Sequence, residues 1–133
     1  MSVLKSQRGE SSIKFLDNAY DLEVHTIKCC MKLPKRMTFF IGTEISRLAA
    51  EVHNNCKAAN SIYPVNEHEA QVRRDLFNKA NGALQALIGK ISVLQEFQHG
   101  LSEYALTHWA DLMIEEARLI SGAKKADKER FKF

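Results

Sequence analysis

A glutamate and a histidine three residues apart on a helix can bind a metal ion together, and the sequence contains one such pair. Glu96 and His99 have the Glu-x-x-His spacing of di-iron carboxylate proteins, which need a second copy of the motif and further glutamates from other helices. No second copy occurs, and Gly100 follows directly, where a helix is expected to end. We therefore predict no metal centre and no cofactor.

Three cysteines, Cys29, Cys30 and Cys56, are the candidates for a nucleophile. Lys28 and Lys32 flank the adjacent pair and would lower the pKa of a nearby thiol. A cysteine within a helix is more often a small packing residue, however, and the sequence has neither a GxSxG elbow nor a GxxxxGK[ST] loop. An odd cysteine count without a CxxC pair also argues against a disulfide framework or a zinc site. We predict no catalytic residues and no enzymatic activity.

Clustered basic residues are the pattern that remains. They form two groups: Lys28, Lys32, Lys35 and Arg36 in the first, and Arg73 and Arg74 in the second. Such groups can bind the phosphates of a nucleic acid or an acidic partner. Cations also stabilise the C-terminal end of a helix, so simple solvation of the first group is an equally open interpretation at this point.

The formal net charge of +3 belongs to the end of the chain. Residues 121–133 hold five basic and two acidic residues, so the rest of the chain is neutral overall. Its positive charge is therefore local, and an oligomer would bring several copies of each basic group together. The interpretation of these groups as a binding surface depends on such an oligomer.

The elements that must position these residues are helices. The chain has 133 residues with only two prolines and six glycines, too few for the regular turns of an all-β fold. Apolar residues repeat at spacings of three and four in four segments, which predicts four amphipathic helices. The first two are expected from Ser11 or Ser12 to Pro34, and from the elbow Lys35-Arg36 to Asn60-Ser61. The last two are expected from the capping box Asn66/Glu69 to His99-Gly100, and from Ser102 to Gly122.

One apolar stripe on each helix is expected to form the core. The expected stripe of the first helix is Ile13, Leu16, Tyr20, Val24, Ile27 and Met31, and that of the second is Ile41, Ile45, Leu48, Val52, Cys56 and Ala59. Those of the third and fourth are Leu76, Phe77, Ala80, Leu84, Leu87, Ile88, Ile91 and Leu94, and Tyr104, Leu106, Trp109, Leu112, Met113, Ala117 and Ile120. Gly82 and Gly89 cost the third helix about 1 kcal/mol each relative to alanine, unless they admit a closely packed neighbour.

Short connections between amphipathic helices favour antiparallel neighbours. We therefore predict an all-α fold, an antiparallel up-down-up-down four-helix bundle. Residues 1–10 would be an N-terminal extension, residues 11–121 the bundle, and residues 122–133 a basic C-terminal tail that is solvated and frayed.

Two pairs of aromatic residues are candidates for an oligomer interface. Phe39 and Phe40 are adjacent, so a helix cannot bury both against the same neighbour, and Tyr104 and Trp109 can flank the stripe of the fourth helix. One residue of each pair could lie on a second apolar face that becomes buried when subunits meet. The alternative is that the inner face of the bundle is simply wide.

The first residues, from Met1 to Arg8, include charges but no apolar core of a signal peptide. No unbroken apolar run approaches the roughly 18 residues of a membrane-spanning helix. We expect a cytoplasmic protein without a membrane partner.

Four segments of the sequence resemble a branch of a bacterial four-helix-bundle superfamily. They are Lys5–Ser11, Leu33–Phe40, Ala59–Pro64 and Asn66–Asp75. The superfamily includes the accessory variability determinant proteins of diversity-generating retroelements and the proteins encoded by intervening sequences in 23S ribosomal RNA genes.

The resemblance implies a homopentamer of four-helix bundles that has no enzymatic activity. It implies binding to a reverse transcriptase and its template RNA in support of mutagenic reverse transcription, with DNA as a further candidate ligand. The six basic residues would then contact RNA or the polymerase, and the four aromatic residues would seal subunit contacts. The alternative is a structural oligomer, like the intervening-sequence proteins, with a protein partner and no nucleic-acid role.

Overall fold

The computed structural model describes residues 13–133, which form an all-helical fold without strands in that range. The helices are α1 (Lys14–Met31), the short α2 (Lys35–Met37), α3 (Thr43–Asn60), α4 (Glu67–Leu94) and α5 (Glu103–Arg130), with a π-helical segment (Thr38–Gly42) between α2 and α3. Ser11, Ser12 and the extension at residues 1–10 lie outside the described residues. None of the helices described is long and apolar enough to cross a membrane.

Asn66 and Ser102 cap the last two helices as the sequence predicts, but the reciprocal half of the predicted capping box differs, because the Glu69 carboxylate accepts from the N–H of Val65 rather than from that of Asn66. Asn66 Oδ1 accepts a hydrogen bond from the backbone N–H of Glu69 at 2.9 Å, and the Glu69 carboxylate accepts one from the N–H of Val65 at 2.9 Å. Ser102 Oγ accepts from the N–H of Ala105 at 3.1 Å. These bonds satisfy backbone donors that the first turn of a helix leaves without a partner.

The connection between α4 and α5 is longer than predicted. α4 ends at Leu94 rather than at His99, and a turn follows. Gly100 has a φ of 74°, the left-handed conformation that glycine adopts without strain. It therefore turns the chain within the connection instead of ending the helix.

The prediction that the last helix stops at Gly122 is wrong, because α5 continues to Arg130. Asp127 forms an ion pair with Arg73 of α4, with 2.6 Å between Oδ2 and Nε, and the ring of Phe131 lies 5.5 Å from that of Tyr63. These contacts hold the end of α5 against the start of α4. They outweigh the cost of about 1 kcal/mol for a glycine within a helix.

The four long helices pack as a bundle around one apolar core. α1 packs against α3 and α5, and α4 packs against the same two helices. The stripes predicted for α3, α4 and most of α5 supply the core, whose largest fully buried side chains include Trp109, Phe77, Ile45, Leu84, Leu87, Leu94 and Ile120. Periodicity therefore identified the buried face of three helices.

The stripe predicted for α1 is wrong. The residues that α1 buries are Phe15, Ala19, Leu22, Thr26 and Cys29. Thr26 can occupy the core because its hydroxyl donates to the carbonyl of Leu22 at 2.6 Å and accepts from the indole of Trp109 at 2.9 Å. The row that includes Ile27 and Met31 lies beside this face, and both of those side chains are exposed.

Candidate functional site

The chain from the last turn of α1 to the π-helical segment carries an exposed group of cationic and aromatic side chains, which we call the elbow surface. Its members are Lys28, Lys32, Lys35, Arg36, Phe39 and Phe40, all of them exposed. No aspartate or glutamate occurs between positions 28 and 43. No ion pair between described residues engages the four cations. The elbow surface is therefore a local concentration of uncompensated positive charge.

The π-helical segment holds both phenylalanines of the elbow surface outside the core. Phe39 is 81% exposed and Phe40 is 80% exposed, and their rings meet edge to face at 5.3 Å. Gly42 is buried at the end of the segment, where its carbonyl accepts a hydrogen bond from the Cys30 thiol at 3.6 Å. π-Helical turns are rare and frequently occur at functional sites.

An apolar groove lies between the π-helical segment and the end of α4. Its volume is about 710 Å³. The residues that line it are Pro34, Arg36, Met37, Phe40, Ile41, Val93, Phe97 and Gln98. One cation therefore lies within an otherwise apolar and neutral lining.

Lys28 and Lys32 lie on another side of the elbow surface, near α5. Both lower the pKa of His25, although burial is the larger cause of that lowering. The Nε2–H of His25 donates to the carbonyl of Ala105 at 2.9 Å, and its ring meets that of His108 edge to face at 4.6 Å. The first basic group thus extends from the contact between α1 and α5 to the groove beside α4.

Tyr104 extends this side of the molecule with a further exposed ring. It stacks on His108 with an angle of 15° between the ring planes and 6.1 Å between centroids. Tyr104 therefore remains a candidate surface residue, together with Phe39 and Phe40.

Trp109 is not a candidate for an oligomer interface, contrary to the sequence prediction. It is fully buried within the bundle, and its indole N–H donates to Thr26. Its position in the stripe of α5 turns the ring inward, where the Thr26 hydroxyl satisfies its only donor.

Arg73 is not available to a phosphate either, so its predicted role in binding is wrong. Its guanidinium is buried, pairs with Asp127, and donates to the carbonyls of Ala59 and Ile62 at 3.0 Å each. It also lies 5.2 Å from the ring centroid of Phe77. Arg73 is a structural residue that joins α4 to the end of α5 and to the loop after α3.

Arg74 is half-buried on α4, where it donates to the side-chain oxygen of Gln71. From Arg74 to Val93 at the groove, α4 rises by about 28 Å at 1.5 Å per residue. The structure therefore does not bring the second basic group to the elbow surface within one chain.

The cysteines have the properties of packing residues. Burial raises the pKa of Cys29 to about 11 and also raises that of Cys30, so neither thiol is ionised near neutral pH. His99 Nδ1 accepts from the N–H of Leu101 at 2.9 Å. Among residues 13–133, no group of three or more His, Cys, Asp or Glu side chains could hold a metal ion.

A buried carboxyl group, Glu116, is the polar centre that the sequence analysis missed. Asn18 Nδ2 donates to Glu116 Oε1 at 2.9 Å, and the Cys56 thiol donates to Oε2 at 3.3 Å. Burial raises the pKa of Glu116 to about 7. The signal was present in the sequence, because Glu116 lies on the apolar stripe of α5 between Met113 and Ile120.

Comparison of the chain with protein-family models, with curated proteins and with solved structures gave no match.

Proposed function

We propose that this protein is a non-enzymatic accessory protein that binds RNA through the elbow surface. The observation that carries the proposal is the exposure of four cations and two phenylalanines between positions 28 and 40, in a stretch that has no acidic residue up to position 43. Cations neutralise phosphates, and exposed aromatic rings stack on unpaired bases. Lys28 and Lys32 on one side and Lys35 and Arg36 on the other would contact the RNA backbone around Phe39.

The partner is proposed from the resemblance to the retroelement proteins. On that basis the RNA is the template of a diversity-generating retroelement, and the protein partner is its reverse transcriptase in the cytoplasm. Leu33–Phe40, one of the segments that carry the resemblance, includes four of the six residues of the elbow surface. This overlap supports the proposal, because the same residues suggest the family and supply the candidate site.

The antiparallel up-down-up-down order is part of the proposal. Asn18 near the start of α1 bonds with Glu116 halfway along α5, whereas His25 further along α1 bonds with Ala105 at the start of α5. The pairs on the other side of α1 are Glu23 with His53 and Cys30 with Gly42. In both sets, a residue further along α1 bonds with a residue nearer the start of the neighbouring helical region. This is the order expected of antiparallel neighbours.

A homo-oligomer, a pentamer by resemblance, is also proposed. Its support is the apolar surface left outside both the core and the proposed RNA site, since Ile27, Met31 and Tyr104 are all exposed. An interface between copies would bury these side chains. Several elbow surfaces in one assembly would raise the positive potential that attracts RNA.

The test is binding of the full chain to a structured RNA with an unpaired loop, followed by fluorescence anisotropy. The double charge reversal Lys35→Glu with Arg36→Glu should weaken binding by at least about tenfold at moderate salt, because two cationic contacts become repulsive. The control is Lys125→Glu with Lys128→Glu, which changes the net charge equally on exposed turns of α5. Equal affinity of both variants for RNA would refute the site.

A structural oligomer with a protein partner is the second candidate function, and the apolar groove is the observation that favours it. Sedimentation and a gel-shift assay separate the two functions. A defined oligomer that binds no RNA at low salt would support the structural function.

A further inference from the structure

The groove beside Arg36 is an apolar surface built by α2 and the π-helical segment on one side and by the end of α4 on the other. Phe40 projects from the π-helical segment, while Val93 and Phe97 come from the last turn of α4 and the residues after it. Val93 is 49% exposed and Phe97 is 59% exposed. Large apolar side chains on neighbouring elements are thus held in contact with water, which is typical of a surface that another molecule covers.

The lining of the groove indicates what could cover it, and its volume is about 710 Å³. Six of the eight lining residues are apolar, and four of these, Pro34, Met37, Ile41 and Val93, are aliphatic. RNA bases prefer flat aromatic rings with cations beside them, and Phe39, one of the two exposed rings of the elbow surface, is not among the lining residues.

The charge around the groove further restricts the kind of ligand that could occupy it. Arg36 is the charged residue of the lining, and Lys35 precedes it. Lys28 and Lys32 lie on the other side of the elbow surface, near α5. The positive charge beside the groove therefore comes from Arg36 and Lys35, while Glu96 precedes Phe97 directly after the end of α4. A complementary ligand therefore combines large apolar groups with negative charge at the edge that meets Arg36.

We propose that this groove binds an amphipathic helix with acidic flanks from a partner protein. A helix with apolar residues at spacings of three and four presents a ridge that fills a groove between two elements. Aspartate or glutamate beside that ridge then meets Arg36 and Lys35. The inference goes beyond RNA binding, since it assigns a second ligand class to the groove, which shares Arg36 and Phe40 with the elbow surface.

The probe is a synthetic amphipathic peptide of 18 residues with leucine at spacings of three and four and glutamate on both flanks. It is titrated against the full chain by fluorescence anisotropy, beside a peptide of the same composition in scrambled order. The intact chain should bind the first peptide and not the second. Phe97→Asp should weaken binding by at least about tenfold, because it places a charge in the apolar lining.

Two controls keep the result interpretable. Ile114→Asp places the same charge at an exposed apolar residue of α5 and should leave peptide affinity unchanged. Thermal unfolding of both variants should match that of the unsubstituted chain, because both side chains are exposed.

Arg36→Glu should reverse the charge preference of the groove, so that a peptide with lysine flanks binds better than the glutamate peptide.

Three outcomes would overturn the proposal. The first is equal affinity of Phe97→Asp and Ile114→Asp for the peptide. The second is dissociation of a homo-oligomer by Phe97→Asp without peptide binding by the intact chain, which would assign the groove to a second copy. The third is loss of affinity for single-stranded oligouridine, and not for the peptide, in Phe97→Asp.

Discussion

At the scale of single residues, the buried Glu116 carboxyl makes the stability of the bundle depend on pH. Its pKa in the folded chain is raised to about 7 from the ordinary value of 4.5, mainly by burial. The folded state therefore holds this proton more tightly than the unfolded state does. The free energy of unfolding is highest below pH 4.5 as far as this group is concerned, falls as the pH rises towards 7, and levels off above that.

We predict that Glu116→Gln removes this dependence. Relative to the variant, the unsubstituted chain should lose on the order of 2–3 kcal/mol of unfolding free energy as the pH rises from about 4.5 to about 7.5. Urea unfolding from pH 4.5 to pH 7.5 measures the difference, with Glu115→Gln on the same helix as control. Parallel stability profiles of Glu116→Gln and the unsubstituted chain would show that Glu116 does not titrate as described.

Residue identity alone did not reveal which charged or aromatic side chains are internal. Arg73 and Arg74 are adjacent and look equivalent in the sequence, yet one is buried and the other half-buried. The difference depends on Asp127, 54 positions away, and on the carbonyls of Ala59 and Ile62. The burial of Trp109 likewise depends on Thr26, a residue that the predicted stripe of α1 did not include.

At the scale of elements, the ion pair between Arg73 and Asp127 holds the last turns of α5. Asp127→Asn should leave the buried guanidinium without a counter-charge and lower the unfolding free energy by about 3 kcal/mol. Hydrogen exchange should show faster exchange after Gly122 and little change in α1. Glu129→Gln, which alters an exposed carboxylate in the same turns, is the control. Uniform loss of protection through the whole bundle would contradict the local role.

The glycines of α4 allow a second test at this scale. Apart from its own stretch of helix, a Cβ at Gly82 or Gly89 would meet no atom of the described residues within 4 Å, so close packing of another described helix of the chain does not explain either glycine. Gly82→Ala and Gly89→Ala should therefore each raise the unfolding free energy by about 0.5–1 kcal/mol. Thermal unfolding measures the gain. A loss of stability that depends on protein concentration would instead indicate that another subunit packs on α4.

Local signals predicted the elements well where the cause is local. The caps at Asn66 and Ser102 need only neighbouring backbone groups, and both form as the sequence indicates. The stripe of α1 failed because two neighbours, α3 and α5, select a row that includes Thr26 in place of the more apolar row through Ile27. The predicted end of α5 was wrong because the contacts that extend the helix are with α4 and with the loop before α4.

At the scale of the whole molecule, the exposed apolar residues make assembly the expected state in solution. Sedimentation velocity of the full chain should show one defined oligomer. Tyr104→Glu should shift the distribution towards smaller species, because it introduces a charge into a proposed contact. Ile13→Glu serves as a comparison at an exposed apolar residue outside the proposed contact set. A monomer at all concentrations would contradict the oligomer.

The salt dependence of RNA affinity tests the central claim, RNA binding by the elbow surface, most directly. The logarithm of the binding constant falls with the logarithm of salt concentration in proportion to the number of phosphates neutralised. Lys35→Gln with Arg36→Gln should weaken binding and reduce the magnitude of that slope by about 1–2, while Lys125→Gln with Lys128→Gln should leave it unchanged. If the two double variants give the same slope as the unsubstituted chain, the elbow surface does not bind the RNA backbone.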